Sequence, residues 1–232
     1  MMLDVSDLRV AYGPIVAVHG LSFGLQEGET LALLGSNGAG KSSAVEAIAG
    51  LLPKVRGRVR LQGRDLSAAS ASAIARQGLA LVPQWRGLFP NFSVEETLIA
   101  ARTAARGREP RALDEVYHLF PALAERRRLL AGALSGGQQQ MLAIARALVT
   151  APSVLLLDEP SAGLAANVLL ALVDVLRDVR RGGVGLVLVE QDVEFAAALC
   201  DRCIVLAAGH LTWEGPVAGA LQSEEIRRAY FG

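Results

Sequence analysis

Apolar and polar positions follow two different periods along the chain. Three short, continuous apolar runs end abruptly on glycine or polar residues, as strands buried on both faces do: "ETLALLG" (29–35), "SVLLLDEP" (153–160) and "GLVLVEQD" (185–192). Between the last two, the apolar residues of "ANVLLALVDVLRDVRR" recur at helical spacing, as a crossover between parallel strands requires. The pattern predicts an α/β protein with a mostly parallel core sheet.

Two other regions depart from this pattern. The first 30 residues hold short alternating runs broken by Gly13-Pro14 and Gly20, which predict antiparallel strands. Residues 86–150 have helical periodicity in "VEETLIAARTAA", "RALDEVYHLFPALAERRRLL" and "GGQQQMLAIARALV", with breaks at Pro110 and Gly132. The chain should therefore carry an antiparallel β subdomain and an inserted α-helical subdomain beside its parallel core.

We expect a single domain over residues 1–232. Its core should be formed by 1–85 together with 151–232, and the helical insertion by 86–150. Near the end, "RCIVLAAGHLTWEG" has the pattern of a β-hairpin and "SEEIRRAYFG" that of a short helix.

Composition excludes some classes of protein. Of the 232 residues 52% are hydrophobic, which is enough for a sizeable core. The 23 basic and 23 acidic residues balance to a net charge of +0, which argues against a nucleic-acid partner. No apolar stretch approaches the roughly 20 residues that cross a bilayer, and "MMLDVSDLRV" lacks a signal-peptide pattern. Cys200 and Cys203 have no second ligand pair to complete a zinc site, so we interpret them as structural.

The segment "GSNGAGKSS" (35–43) fits the phosphate-loop pattern G-x-x-x-x-G-K-[ST], with a predicted strand before it and a helix, "KSSAVEAIAGLL", after it. A polyphosphate needs backbone N–H groups around it, and a helix N-terminus supplies them together with a favourable dipole. In this pattern the lysine contributes a charge to the outer phosphates and the serine hydroxyl a Mg²⁺ ligand. The candidate nucleotide-binding residues are Gly35, Ser36, Asn37, Gly38, Ala39, Gly40, Lys41, Ser42 and Ser43.

Two carboxylates follow the strand "VLLLD". Parallel strands present their carboxyl ends at one edge of a sheet, so Asp158 should approach the phosphate loop and help hold Mg²⁺. Glu159 could orient or deprotonate the attacking water, a role that contributes about 10²–10⁴-fold. Its alternative interpretation is a charge at the N-terminus of the following helix, which stabilises by about 0.3–1 kcal/mol.

The motifs "GSNGAGKSS", "LSGGQQQ" (134–140) and "LLLDEP", in that order, resemble those of the ATP-binding-cassette (ABC) family over essentially the full chain. The segments "ALVPQWRGLFPNFSVEETL", "LLLLDEPSAGLA", "LVEQ" and "RRAYFG" resemble one branch, the ATP-binding subunits of branched-chain amino acid importers. The resemblance implies a P-loop NTPase fold with a RecA-like core. It also implies a head-to-tail pair of ATPase subunits with two nucleotides between them.

The resemblance also assigns site residues. Ser135, Gly136, Gly137 and Gln138 of one subunit would face the γ-phosphate that Lys41 of the other subunit holds. Tyr12 matches the aromatic residue that stacks on adenine, with burial on the core face as the alternative. Gln84 matches the loop glutamine that touches Mg²⁺ and reports to the membrane partner, with an exposed turn residue as the alternative.

Two positions depart from the wider family. Gln191 stands where most members have a histidine that contacts the γ-phosphate; its amide can donate a hydrogen bond but cannot become cationic. Hydrolysis would then depend more on Glu159, with Gln191 as a sensor. Ala165 stands where an aspartate usually links the two subunits, which removes one polar contact between the sites.

The expected function is that of an ATPase subunit driving a branched-chain amino acid importer, at the cytoplasmic face of the inner membrane. Its partners would be a second ATP-binding subunit, transmembrane permease subunits and, indirectly, a substrate-binding protein. Trp85, Phe89 and Phe92, in "QWRGLFPNF", are candidates for the permease-docking surface, with burial in the core as the alternative. The functional alternatives are an importer of urea or short amides, a soluble cassette ATPase not coupled to transport, and a non-hydrolysing nucleotide switch.

Overall fold

A computed structural model describes residues 1–105 and 108–222 of the chain. The predicted helix "SEEIRRAYFG" (223–232) lies outside the described residues. The strands of the protein form two sheets, one antiparallel and one mostly parallel. They are β1 (Leu3–Tyr12), β2 (Ile15–Leu25), β3 (Thr30–Leu34), β4 (Lys54–Leu61), β5 (Arg64–Asp65), β6 (Leu79–Val82), β7 (Val154–Asp158), β8 (Gly185–Glu190), β9 (Arg202–Ala207) and β10 (His210–Pro216).

The larger sheet has the strand order β10-β9-β3-β8-β7-β6. Every neighbouring pair from β9 to β6 is parallel, and β10 alone runs antiparallel, as the second strand of the predicted hairpin. The smaller sheet has the order β2-β1-β4-β5 and is antiparallel throughout. The predicted α/β class and the division between an antiparallel and a parallel sheet are confirmed.

The helices are α1 (Lys41–Ile48), α2 (Ala71–Gln77), α3 (Val94–Ala104), α4 (Leu113–Leu119), α5 (Pro121–Ala124), α6 (Gly136–Leu148), α7 (Ala166–Arg181), α8 (Val193–Leu199) and α9 (Val217–Gln222), with a 3-10 turn over Ala131–Ala133. The sequence patterns had not indicated α2 or β6. The helical periodicity of "RALDEVYHLFPALAERRRLL" corresponds to two short helices, α4 and α5. Pro121 has no N–H to continue a helix, so α4 ends before it and α5 begins with it.

The core sheet separates two apolar layers. Along β7, Val154 and Leu156 face the layer that contains the small sheet and α1, whereas Leu155 and Leu157 face the layer that contains α6 and α7. Every residue of β3, β7 and β8 is buried, which explains their uninterrupted apolar pattern. Within the described residues, no helix is both long enough and apolar enough to cross a membrane.

The register of the sheet determines where the functional side chains lie. Leu34, the last residue of β3, pairs with Glu190 of β8, and Asp158 of β7 pairs with Val189. The carboxyl ends of these three strands therefore meet at one edge, immediately beside the loop 35–40. Cys200 and Cys203 are both buried and unbridged, in agreement with a structural role.

Candidate functional site

The loop 35–40 connects β3 directly to α1, as the motif requires. Gly40 precedes the helix with φ +97° and provides no side-chain cap. The first amides of α1 have no acceptor within the helix, so they are available to an anion. Main-chain bonds set the curvature of the loop: Ala39 N donates to Ser36 O, and Gly209 N donates to Ala39 O.

The glycines of the loop serve different purposes. A Cβ on Gly35 would lie 2.5 Å from Leu206 O, and one on Gly40 would lie 2.2 Å from Ala17 O, so each lets the loop pack against neighbouring backbone. A Cβ on Gly38 would meet nothing within 4 Å. Gly35 and Gly40 therefore serve packing within the protein, whereas Gly38 leaves open space beside the loop.

Lys41 is almost fully buried, with 4% of its side chain exposed. Its Nζ donates to Gly35 O at 2.8 Å and to Ser36 O at 3.1 Å, and it lies 3.7 Å from Glu159 Oε1. Burial lowers the pKa of the ammonium, and the nearby Glu159 and Asp158 carboxylates raise it in part. The structure thus concentrates one positive charge inside the loop.

Asp158 lies beside the loop, where its Oδ1 accepts a hydrogen bond from Ser42 Oγ at 3.1 Å. The carboxyl group is 3% exposed, and burial raises its pKa from 3.8 to about 6 although the Ser42 bond lowers it. A hydroxyl oxygen and a carboxylate so close together are hard oxygen ligands, which fit Mg²⁺. A cation there would favour the charged form of Asp158.

Glu159 accepts two amide hydrogen bonds. Gln84 Nε2 donates to its Oε2 at 2.8 Å, and Gln191 Nε2 donates to its Oε1 at 2.6 Å. Its backbone is in the left-handed region, with φ +47°, and its N donates to Val189 O. Glu159 lies seven residues before α7, so the alternative of a charge at that helix N-terminus is wrong.

Gln191 joins the phosphate loop to this carboxylate. Its Nε2 donates to Asn37 Oδ1 at 2.8 Å as well as to Glu159, which uses both hydrogens of the amide. Gln84 is exposed, as its alternative interpretation held, yet it contacts Glu159. The structure therefore brings Gln84, Asn37, Glu159 and Gln191 into one hydrogen-bonded chain beside Lys41.

Glu190 is a buried residue beside the site, and no motif of the sequence assigns it a role. It is 1% exposed, and its carboxylate accepts from Ser161 N at 3.0 Å, Ser161 Oγ at 2.8 Å and Gln191 N at 3.2 Å. Burial raises its pKa from 4.5 to about 7 against these hydrogen bonds. The signal in the sequence was a carboxylate directly after an apolar run. Its neighbour Asp192 caps α8.

Tyr12 lies at the end of β1 with half of its surface exposed, so the alternative of core burial is wrong. Its hydroxyl group lies 3.2 Å from Ser43 Oγ, at the start of α1. One face of a flat aromatic ring beside a phosphate loop suits stacking of a base.

The signature motif, residues 134–138, begins α6. Ser135 Oγ accepts from Gln138 N, and Gln138 Oε1 accepts from Ser135 N, which forms a capping box. A Cβ on Gly137 would lie 2.9 Å from the Val168 side chain, so this glycine lets α6 approach α7. Among the hydrogen bonds of the described residues, none joins the signature motif to the phosphate loop of the same chain.

The loop between β6 and α3, residues 83–93, exposes three aromatic side chains. Trp85 is 75% exposed, Phe89 64% and Phe92 40%, so the alternative of core burial is wrong for all three. The rings of Phe89 and Phe92 pack against each other with centroids 5.3 Å apart. At the start of α7, Ala165 occupies the N-cap position and offers no side-chain acceptor.

A parallel sheet with a phosphate loop at its carboxyl edge, a buried lysine and two adjacent carboxylates defines a P-loop ATPase. The family model "ABC transporter" matches residues 18–162. The chain belongs to the ABC transporter family and is an ABC-type ATP hydrolase, as its motifs predicted.

Individual relatives and solved structures cover between 93% and 100% of the chain. The high-affinity branched-chain amino acid transport ATP-binding protein BraG of Pseudomonas aeruginosa is 38% identical over 232 residues, with 100% of both chains covered. The lipopolysaccharide export system ATP-binding protein LptB of Escherichia coli is 32% identical, covering 99% of this chain and 97% of LptB. The solved dimeric structure of a bacterial ABC transporter cassette superposes with a TM-score of 0.81 at 23% identity, over 93% of this chain and 99% of that one.

Proposed function

We propose that this ATPase drives a branched-chain amino acid importer. The observation that carries the cargo class is the full-length match to BraG, 38% identical with no unmatched region in either chain. The geometry supports the ATPase part of this proposal, because Lys41, Asp158 and Glu159 converge at one edge of the sheet.

We assign the roles in ATP hydrolysis to the residues of that edge. The loop 35–43 holds the phosphates, with Lys41 as its charge, and Tyr12 stacks on the adenine. Ser42, Asp158 and Gln84 would hold Mg²⁺, which when bound neutralises phosphate charge. Glu159 accepts a proton from the attacking water or orients that water, and Gln191 holds Glu159 and senses the outer phosphate through its amide.

The signature motif acts on a second subunit in this proposal. Ser135, Gly136, Gly137 and Gln138 are at the exposed end of α6, whose N-terminal amides attract an anion. A second ATP-binding subunit, identical or different, completes two nucleotide pockets in this arrangement. We propose that residues 1–85 with 151–232, and residues 86–150, are the two subdomains of one such ATPase domain.

The aromatic side chains of Trp85, Phe89 and Phe92 are the proposed contact with the permease, which holds the ATPase at the cytoplasmic face of the inner membrane. An exposed aromatic cluster of this kind is typical of an interface core. Replacing Trp85 and Phe89 by alanine should abolish the stimulation of ATP hydrolysis by the permease and leave ATP affinity unchanged. Ile15→Ala is the matched control, since Ile15 is also exposed but lies on β2. Unchanged stimulation in the double variant would refute this contact.

The cargo is tested by transport. The complex of this chain with its permease should be reconstituted in vesicles with the binding protein, and ATP-dependent uptake of radiolabelled leucine, isoleucine and valine measured against urea. Saturable uptake of the three amino acids is expected. The 32% identity to LptB favours lipid export as the second candidate, and ATP-dependent lipid extraction without amino acid uptake would replace the proposal.

A further inference from the structure

Arg86 occupies an unusual backbone position in the loop 83–93. Its φ is +65°, in the left-handed region that a non-glycine residue rarely adopts. The turn is closed by Arg86 N donating to Pro83 O at 2.9 Å and by Gly87 N donating to Trp85 O at 2.8 Å. Such a conformation persists when surrounding contacts hold it, and the contacts of Arg86 are with α6.

The guanidinium of Arg86 binds two side chains of α6 at once. Its Nε donates to Gln140 Oε1 at 3.2 Å, and its Nη1 donates to Gln139 Oε1 at 3.1 Å. Gln140 is 4% exposed, so this acceptor is largely withdrawn from bulk water. Gln139 in turn donates to Ala131 O and Leu134 O, which ties the same cluster to the segment before the signature motif.

The helix also binds the loop in the opposite direction. From the C-terminal half of α6, Arg146 donates to the carbonyl oxygen of Arg86 at 2.8 Å and to that of Gly87. Burial lowers the pKa of Arg146, which indicates that this contact is substantially withdrawn from water. The loop is therefore bound to α6 at two places. One is Gln139 and Gln140, directly after the signature motif, and the other is Arg146, two turns later.

We propose that Arg86 is a positioning residue for ATP hydrolysis, which couples Gln84 to the signature motif by holding Gln139 and Gln140. Gln84 contacts Glu159, and two residues later Arg86 contacts the first turns of α6. A displacement of the loop 83–93 therefore moves Glu159 and the signature motif of the same chain together. The proposal rests on the proposed use of the signature motif by a second subunit.

The chemistry of the contact explains why arginine is required. A guanidinium presents several N–H groups in a fixed plane, so it can bond two amide oxygens together, whereas a lysine ammonium is a point charge on a flexible stem. Loss of Arg86 leaves the buried Gln140 oxygen without its donor, and the cost of such an unpaired group is larger than the net gain of an ordinary hydrogen bond.

The test compares Arg86→Ala and Arg86→Lys in the purified full chain. We expect kcat for ATP hydrolysis to fall about tenfold in Arg86→Ala, the size of one charged hydrogen bond, and less in Arg86→Lys. The Kd for a fluorescent ATP analogue should stay unchanged, because Arg86 does not touch the phosphate loop, whereas the melting temperature should fall by a few degrees because Gln140 loses its donor. A purely structural role would lower the melting temperature and leave kcat at the wild-type value. Arg58→Ala, at an exposed position of β4, is the matched control.

A double-mutant cycle sharpens the assignment. If Arg86 acts through α6, adding Gln140→Ala to Arg86→Ala should lower kcat no further, whereas additive losses would overturn the coupling. If Arg86→Ala does not fold, the single variants Arg86→Lys and Gln140→Ala take its place. Wild-type kcat in both of them would also overturn the coupling.

Ser135→Ala separates this inference from the proposed function on which it rests. A lower kcat in Ser135→Ala with wild-type kcat in Arg86→Ala refutes the positioning role alone. Wild-type kcat in both variants refutes the proposed use of the signature motif by a second subunit, and with it the role of Arg86.

Discussion

The phosphate loop and the signature motif are equally recognisable in the sequence, but they have opposite environments in the fold. Around the loop, the charged groups are buried: Lys41 is 4% exposed, Asp158 3% and Glu190 1%. Around the signature motif, Ser135 and Gly136 are exposed at the tip of a helix. The first set is enclosed by the chain itself, whereas the second faces outward from the tip of the helix.

The two regions are also held by different means. The loop and its carboxylates follow the ends of adjacent parallel strands, so main-chain pairing sets their separation. The region of the signature motif is held by side-chain contacts. Arg86 and Arg146 join α6 to the loop 83–93, and Gly137 packs closely on Val168. The comparison teaches that a substitution distant in sequence should disturb the second region more readily than the first.

The largest effect is expected from a substitution in the buried region around the phosphate loop. Glu159→Gln keeps the shape of the side chain but removes the carboxylate that we propose as the proton acceptor, so we expect hydrolysis to fall by about 10² or more. ATP affinity should be retained or rise, because a negative charge near the phosphates is lost. Phosphate release and analogue binding measure the two quantities, with Glu194→Gln on the exposed side of α8 as control. Hydrolysis above a tenth of the wild-type rate would show that another group activates water.

The next effect tests packing at the signature motif. Gly137→Ala places a Cβ about 3 Å from Val168, and such overpacking costs about 1–3 kcal/mol of the free energy of unfolding. Gly136→Ala is the matched control in the same helical turn, because its Cβ would meet only Arg86 atoms at 3.6 Å or more. Urea unfolding of both variants gives the difference, and Val168→Ala should rescue Gly137→Ala. Equal stability of the two glycine variants would contradict the close packing.

The smallest effect concerns the pH dependence of stability in the buried region. Because the pKa of Glu190 is raised from 4.5 to about 7, folding favours its protonated form. This contribution to stability is fully present below pH 4.5 and is lost as the pH rises to about 7. Glu190→Gln cannot titrate, so the melting temperature of the wild type relative to the variant should fall by a few degrees between pH 5 and pH 8. A difference that is constant with pH would show that the carboxyl group titrates normally.

Part of this site could be predicted from the chain alone. The strand–loop–helix order around Lys41 and the position of Asp158 and Glu159 after an apolar run place these residues at one sheet edge, because the parallel arrangement leaves little choice. Residues such as Glu190 and Ser161 could not be assigned, since their contact joins the end of β8 to a turn 29 residues earlier in the chain. The α4–α5 break was readable at Pro121, but the helical periodicity on both sides of it masked the signal.

The sequence by itself determined the ABC family, the α/β class and the phosphate loop, because these depend on local spacing, on strand periodicity and on motifs with a fixed order. Only the tertiary structure decided that Glu190 is buried, that Trp85 and Phe89 are exposed, and that Arg86 meets Gln140 across 54 residues. The physical reason is that burial and side-chain hydrogen bonding depend on which surfaces pack together, and no local period of the chain encodes that choice.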